Sequence, residues 1–125
     1  MRILNATHGD LMLLDTRVGL RTLHQELAQF IDSGASEHAF HAQTNGNPAP
    51  YNEFLKGLRV KKSENDSRLC FGSDGWLELS GKGPDLVNFG NKLLIQEDGA
   101  HNHWYATPVS LIIEADDTWT GSNES

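Results

Sequence analysis

The feature that most constrains this chain is that it can be laid on itself. At an offset of 66 residues, without a gap, Arg2 meets Arg68, Gly9 meets Gly75, Leu11 meets Leu77 and Leu13 meets Leu79. The same register carries Leu20, Leu23 and Leu27 onto Leu86, Phe89 and Leu93. One deletion moves the offset to 65, where Gly34-Ala35 meets Gly99-Ala100, His38 meets His103 and Phe40 meets Tyr105. The agreeing positions are apolar residues at core spacing and turn glycines. A duplicated supersecondary unit explains both at once.

Pattern sets the elements of each unit. Residues 2–5 and 11–15 read as a hairpin across Thr7-His8-Gly9, and residues 68–71 and 76–80 as its copy across Gly72-Ser73-Asp74-Gly75. Leu20, Leu23, Leu27 and Ile31 recur at helical spacing, with Asp15 or Thr16 to cap the start and Gly34 to end it. A second helix is expected from Pro84, with Leu86, Phe89, Leu93 and Leu94 as its stripe, stopping before Gly99. Gly90 lies inside that helix at a cost of about 1 kcal/mol relative to Ala, which close backbone packing would explain. Strands follow at residues 36–43 and 101–107, then at residues 57–62 and 110–115. The first unit carries an Asn/Gly/Pro-rich insertion, residues 44–55, that the second lacks; such a loop is expected to be functional or mobile.

The expected fold is therefore α+β: two diverged β-β-α-β-β units, residues 1–62 and 68–115, forming antiparallel sheet with two helices packed on it. One domain is expected over residues 1–118, with residues 119–125 as a disordered tail. Apolar residues make up 38% and charged residues 22% of the chain, enough to build a core. No apolar run approaches the ~18 residues of a membrane span, and the first residues lack a signal peptide's apolar stretch. A cytoplasmic protein with no membrane contact is the expectation. Cys70 is the single cysteine, so no internal disulfide is possible, and it reads as a buried strand residue rather than a reactive thiol.

The net charge of −7 is unevenly placed. Eight basic and eight acidic side chains cancel over residues 1–72, whereas residues 73–125 set Lys82 and Lys92 against nine acids. Phosphate binding needs the opposite sign, so nucleic acid is not an expected partner. The basic cluster of Lys56, Arg59, Lys61 and Lys62 reads as the solvated face and end of a strand.

Motifs for catalysis are sparse. His101 and His103 share a strand face and can reach one metal, but a zinc site needs a third protein ligand that the sequence does not nominate. Gly81-Lys82-Gly83-Pro84 lacks P-loop spacing and reads as a strand-to-helix turn, and there is no G-x-S-x-G elbow. No cofactor and no catalytic residue are expected. The aromatics are more informative. Trp104 and Tyr105 must face opposite sides of one strand; Tyr105 matches Phe40 and is assigned to the core, which leaves Trp104 as an exposed anchor.

The stretch Trp76-Leu77-Glu78-Leu79-Ser80-Gly81, the Leu-rich helix after it, Gly99-Ala100-His101-Asn102-His103 and Leu111-Ile112-Ile113-Glu114 resembles the bacterial immunity proteins of polymorphic-toxin systems, in particular the immunity protein 32 family. The resemblance covers about residues 75–115, and the first unit departs from it at Ser36 and through its insertion. It implies a cytoplasmic, non-enzymatic protein, a monomer or weak homodimer, that blocks a cognate, basic toxin. Charge agrees, because an acidic inhibitor associates faster with a basic target. The expected partner surface is Trp104 ringed by Glu97, Asp98, Glu114, Asp116 and Asp117. Two other classes stand beside it: a small metal-dependent hydrolase using His101 and His103, and a structural adaptor that self-associates through sheet edges.

Overall fold

Apolar residues alternating with polar ones bury one face of a strand, and both hairpins behave so. In the computed structural model, which describes residues 1–6 and 10–119, β1 (Arg2–Asn5) pairs with β2 (Leu11–Asp15), and β2 turns Leu11, Leu13 and Asp15 inward. The helix α1 (Arg17–Asp32) follows, then β3 (Glu37–His41), the short β4 (Glu53–Phe54) and β5 (Gly57–Lys62). The second unit repeats this series as β6 (Arg68–Phe71), β7 (Leu77–Gly81), α2 (Gly83–Lys92), β8 (His101–Trp104) and β9 (Leu111–Ala115). The first hairpin's turn, Thr7-His8-Gly9, lies outside the described residues, as does the chain after Trp119.

The α+β class and the duplicated unit are both present, but the strands form two sheets and the units exchange partners. One sheet has the order β4-β1-β2-β9-β8 and the other β3-β5-β7-β6. Each therefore joins the hairpin of one unit to the last strands of the other. Pairing is antiparallel everywhere except at these junctions, where β2 runs parallel to β9 and β5 parallel to β7. The swap maps the strand order of one sheet onto that of the other.

Caps and close contacts explain where the helices begin and how near they come. Thr16 Oγ1 accepts from the Gly19 N–H at 3.0 Å, making Thr16 the N-cap. Asp15 instead is buried, accepts the Thr16 N–H at 2.8 Å and pairs with the Met1 amine at 3.3 Å. A side chain at Gly19 would land on that carboxylate. The first helix ends at Ser33 rather than Gly34, with Ser33 bonded to the Phe30 carbonyl and Lys62 Nζ donating to the Ser33 carbonyl. The second helix stops at Lys92, with Leu93 as its buried C-cap and Leu94, the last residue of the expected stripe, left exposed. Gly90 faces α1, where an added Cβ would sit 3.3 Å from Leu27 Cδ2. This is the close packing its presence in a helix suggests. Leu20, Leu27 and Phe30 of α1 and Leu86 and Phe89 of α2 then share one core with the inward faces of both sheets. Among the described residues, no helix is long and apolar enough to cross a membrane.

Candidate protein interface

The outward faces of the two sheets are built from equivalent positions, and they differ in chemistry. On the β3-β5-β7-β6 sheet, one row runs Arg68, Ser80, Lys61, Glu37 and the next Cys70, Glu78, Arg59, Ala39. On the other sheet the same rows read Arg2, Leu14, Glu114, His101 and Leu4, Met12, Ile112, His103. Four polar or cationic positions have become apolar or acidic, and the edge strand has gained imidazoles.

The polar face is closed upon itself. Arg59 donates to Glu78 at 2.9 Å and to Asp74 at 3.2 Å, and Lys61 lies 3.6 Å from Glu78. The Arg59 guanidinium also stacks 4.7 Å from the Trp76 ring, which His41 meets edge-on at 5.1 Å. That ring fits because residue 57 is glycine: a Cβ there would collide with Trp76 and with the Phe40 carbonyl. Lys62 is spent on α1, 4.8 Å over the Phe30 ring. Arg59 and Lys61 of the basic cluster are thus compensated within their own face.

The apolar face is half covered. The insertion returns across it, bonding Asn52 N–H to the Asn5 carbonyl and Leu55 N–H to the Ile3 carbonyl, and it brings the Tyr51 hydroxyl to 4.0 Å from Met12 Sδ. Arg2 lies 5.9 Å over Phe54 and 5.3 Å over Trp119, so Trp119 belongs to the folded unit rather than to a disordered tail. Leu4 and Leu14 are buried although they point away from the core. What stays open is the β9–β8 half: Ile112, Glu114, His101, His103 and, just beyond β8, Tyr105.

Here the structure corrects the expected anchor. Phe40 pairs with Leu58 and Trp104 with Leu111, so Trp104 is the equivalent of Phe40, at an offset of 64 rather than 65. A slip of one residue sends every side chain of a strand to the other face. Trp104 therefore points inward, half-buried and edge-on to Phe89 at 5.4 Å, with its indole N–H buried and unbonded among the described residues. Tyr105, assigned to the core by the sequence, is 78% exposed. Its ring stacks on His103 at 5.5 Å and 8°, and His103 meets His101 at 5.2 Å. These three rings form a ladder along the outer side of the sheet edge.

The expected acidic rim is likewise divided. Asp117 is occupied by the fold, accepting the Arg17 backbone N–H at 2.9 Å and Arg17 Nε at 2.7 Å. The Arg17 side-chain hydrogen bond holds the Asp117 carboxyl below its usual range. Asp98 accepts the Asp117 N–H at 2.7 Å, and Asp116 accepts from the Thr118 backbone and hydroxyl. Glu97 is exposed at the turn before β8. Glu114 is the member that stands on the ladder's own face, directly across from His101. Sequence reasoning missed its neighbours Asp10 and Tyr51. Burial raises the Tyr51 phenol, and the carboxylates of Asp10 and then Glu114 raise it further, which places all three in one electrostatic neighbourhood. A shallow cleft of 240 Å³ beside them is lined by Asp10, His103, Ser110, Leu111 and Ile112 among others.

Both imidazoles do share a face, but among the described residues no three His, Cys, Asp or Glu side chains gather to hold a metal ion. The ladder presents flat aromatic rings beside an apolar floor, with carboxylates at its border. No family model, no curated protein and no solved structure matches this chain.

Proposed function

We propose that this chain is a non-enzymatic binding protein that neutralises a cognate, basic protein toxin, in the manner of an immunity protein, and acts in the cytoplasm of the cell it protects. The binding surface in this reading is the open half of the β4-β1-β2-β9-β8 sheet. Tyr105 takes the central place first given to Trp104; Glu114, Asp10 and Glu97 form the acidic border. The observation that carries the reading is the ladder of His101, His103 and the 78% exposed Tyr105 beside an acid-lined apolar strip, at positions where the sister sheet is sealed by ion pairs. Aromatic residues over an apolar floor supply most of the energy in protein interfaces, while charged borders act on encounter rates. The confinement of the excess negative charge to residues 73–125 favours a basic partner.

The test is neutralisation. Cells expressing the toxin encoded beside this gene should grow when this protein is co-expressed. Purified proteins should form a one-to-one complex whose association slows as salt shortens the Debye length from ~10 Å at 0.1 M. Growth arrest that persists despite soluble expression of this protein overturns the reading.

A further inference from the structure

We propose that the free edge of β8 accepts an extended, basic segment of the protein partner as a sixth strand of the β4-β1-β2-β9-β8 sheet. The inference rests on the protein-binding reading above and specifies how the partner is held.

Backbone accounting locates the open groups. The Ala115 N–H bonds the Ala100 carbonyl at 3.0 Å, and the Asp116 N–H bonds the Asp15 carbonyl at 3.0 Å. Residues 115, 113 and 111 of β9 therefore direct their peptide groups at β8, while 116, 114 and 112 direct theirs at β2. Antiparallel pairs alternate between bonded and unbonded, so Asn102 and Trp104 bond to Ile113 and Leu111. It follows that the N–H and C=O of His101 and His103 point away from the sheet, and no backbone bond from the described residues reaches them. These are the residues whose rings form the outer ladder.

Two of the other strand edges are covered by chain, and the third, β3, differs in its side chains. The β1 edge is covered by β4, and the β6 edge by the chain at residues 107–109, with the Leu69 N–H bonded to the Thr107 carbonyl at 2.9 Å. The β3 edge presents Glu37, Ala39 and His41, and its strand borders clefts shared with α1 and lined by Glu26. On β8, His101–Trp104 carries neither Lys nor Pro, the residues that commonly discourage strand addition. Strand addition supplies affinity through main-chain bonds and specificity through alternate side chains. Residues of the added strand on the outer side lie beside Tyr105 and in the field of Glu114 and Asp10, which suits Arg or Lys. Those on the inner side lie along Trp104 and suit apolar side chains. A second copy of this chain brings another −7 to the same edge, so charge favours a basic partner over self-pairing.

The experiment uses 12-residue peptides selected from a random display library on the intact protein. We expect selection to return alternating basic and apolar sequences. Binding of the best peptide should raise the hydrogen-exchange protection of the His101 and His103 amides at least tenfold in the unmodified protein. His103→Pro removes an outward N–H and leaves the bonds to β9 intact; it should weaken the peptide at least tenfold more than His103→Ala, which removes the same ring and keeps the N–H. Three results overturn the proposal: no peptide selected at this edge, no gain in protection at these amides, or concentration-dependent dimers that His103→Pro abolishes. Toxin neutralisation that survives His103→Pro rejects the strand-addition mode and leaves the function standing. Peptide binding at the edge without neutralisation rejects the toxin and keeps the edge.

Discussion

The outer faces of the two sheets descend from one pattern and have gone opposite ways. In one, Arg59, Lys61, Glu78 and Asp74 neutralise each other, and Trp76 lies flat over Gly57. In the other, Ile112, Glu114 and Met12 occupy the places of Arg59, Lys61 and Glu78, Leu14 occupies that of Ser80, and a serine, Ser110, stands where Gly57 would be. A face of mutual ion pairs is solvated and complete; isolated pairs of that kind add little stability. A face of half-covered apolar residues beside an aromatic edge is incomplete unless something else covers it. The difference teaches that duplicated backbones preserve their inward side chains, which packing holds to a common pattern, and are free to vary the outward ones.

The sharpest way to break the comparison is at the inward positions, where the two units should respond alike. Trp104→Ala and its equivalent Phe40→Ala should each cost about 3 kcal/mol, as large-to-small core changes do, and lower Tm by ~10 °C in a thermal melt. A Trp104 variant with unchanged Tm and lost partner binding would restore the exposed-anchor assignment. The glycine position comes next. Gly57→Ala forces Trp76 and the Phe40 backbone to move and should cost about 2 kcal/mol in denaturant unfolding. Ser110→Ala, on the sister sheet, should stay within about 0.5 kcal/mol.

Tyr105→Ala separates the faces functionally. Its stability should change by no more than about 0.5 kcal/mol, while affinity for the proposed partner falls ~30-fold, or about 2 kcal/mol, mostly in the dissociation rate measured by surface plasmon resonance. His41→Ala, the same position on the closed face, should leave that affinity unchanged.

The smallest effect is electrostatic. Because Arg17 lowers the Asp117 pKa, the pair's contribution is fully present above the unfolded value of about 3.9 and is lost as pH falls through the lower folded value. Asp117→Asn should flatten the acid limb of a stability–pH curve below about pH 4 and leave its neutral plateau nearly level.

Much of the core was legible because helical and strand periods are properties of the sequence itself. The repeat placed Leu13 with Leu79 and Leu27 with Leu93, and Gly90 announced the close approach of α2 to α1. The surface was less legible, and the reason lies in a single residue. Aligning on His38 and His103 put Tyr105 in the core, whereas the strands align Phe40 with Trp104, and with a period of two that slip inverts a whole strand. The insertion raised a different difficulty. Its composition announces a loop, but nothing local says that Tyr51 will return over Met12, which follows from β4 pairing with β1, or that Asp10 and Glu114 will share its neighbourhood, which follows from the exchange of strands between units.

That exchange bears on how such a molecule is assembled. The middle of each sheet is a parallel pair contributed by two different units, β2 with β9 and β5 with β7. A chain severed between Lys62 and Arg68 leaves each fragment with a hairpin and a two-strand remnant that belong to different sheets. Neither fragment holds a whole layer, yet together they hold both. The two pieces should be unstructured apart and combine when mixed, and a half-length chain of this design reaches a closed fold only by meeting its own copy. The linker between the units thus does the work of a local concentration, joining what is topologically a dimer into one chain.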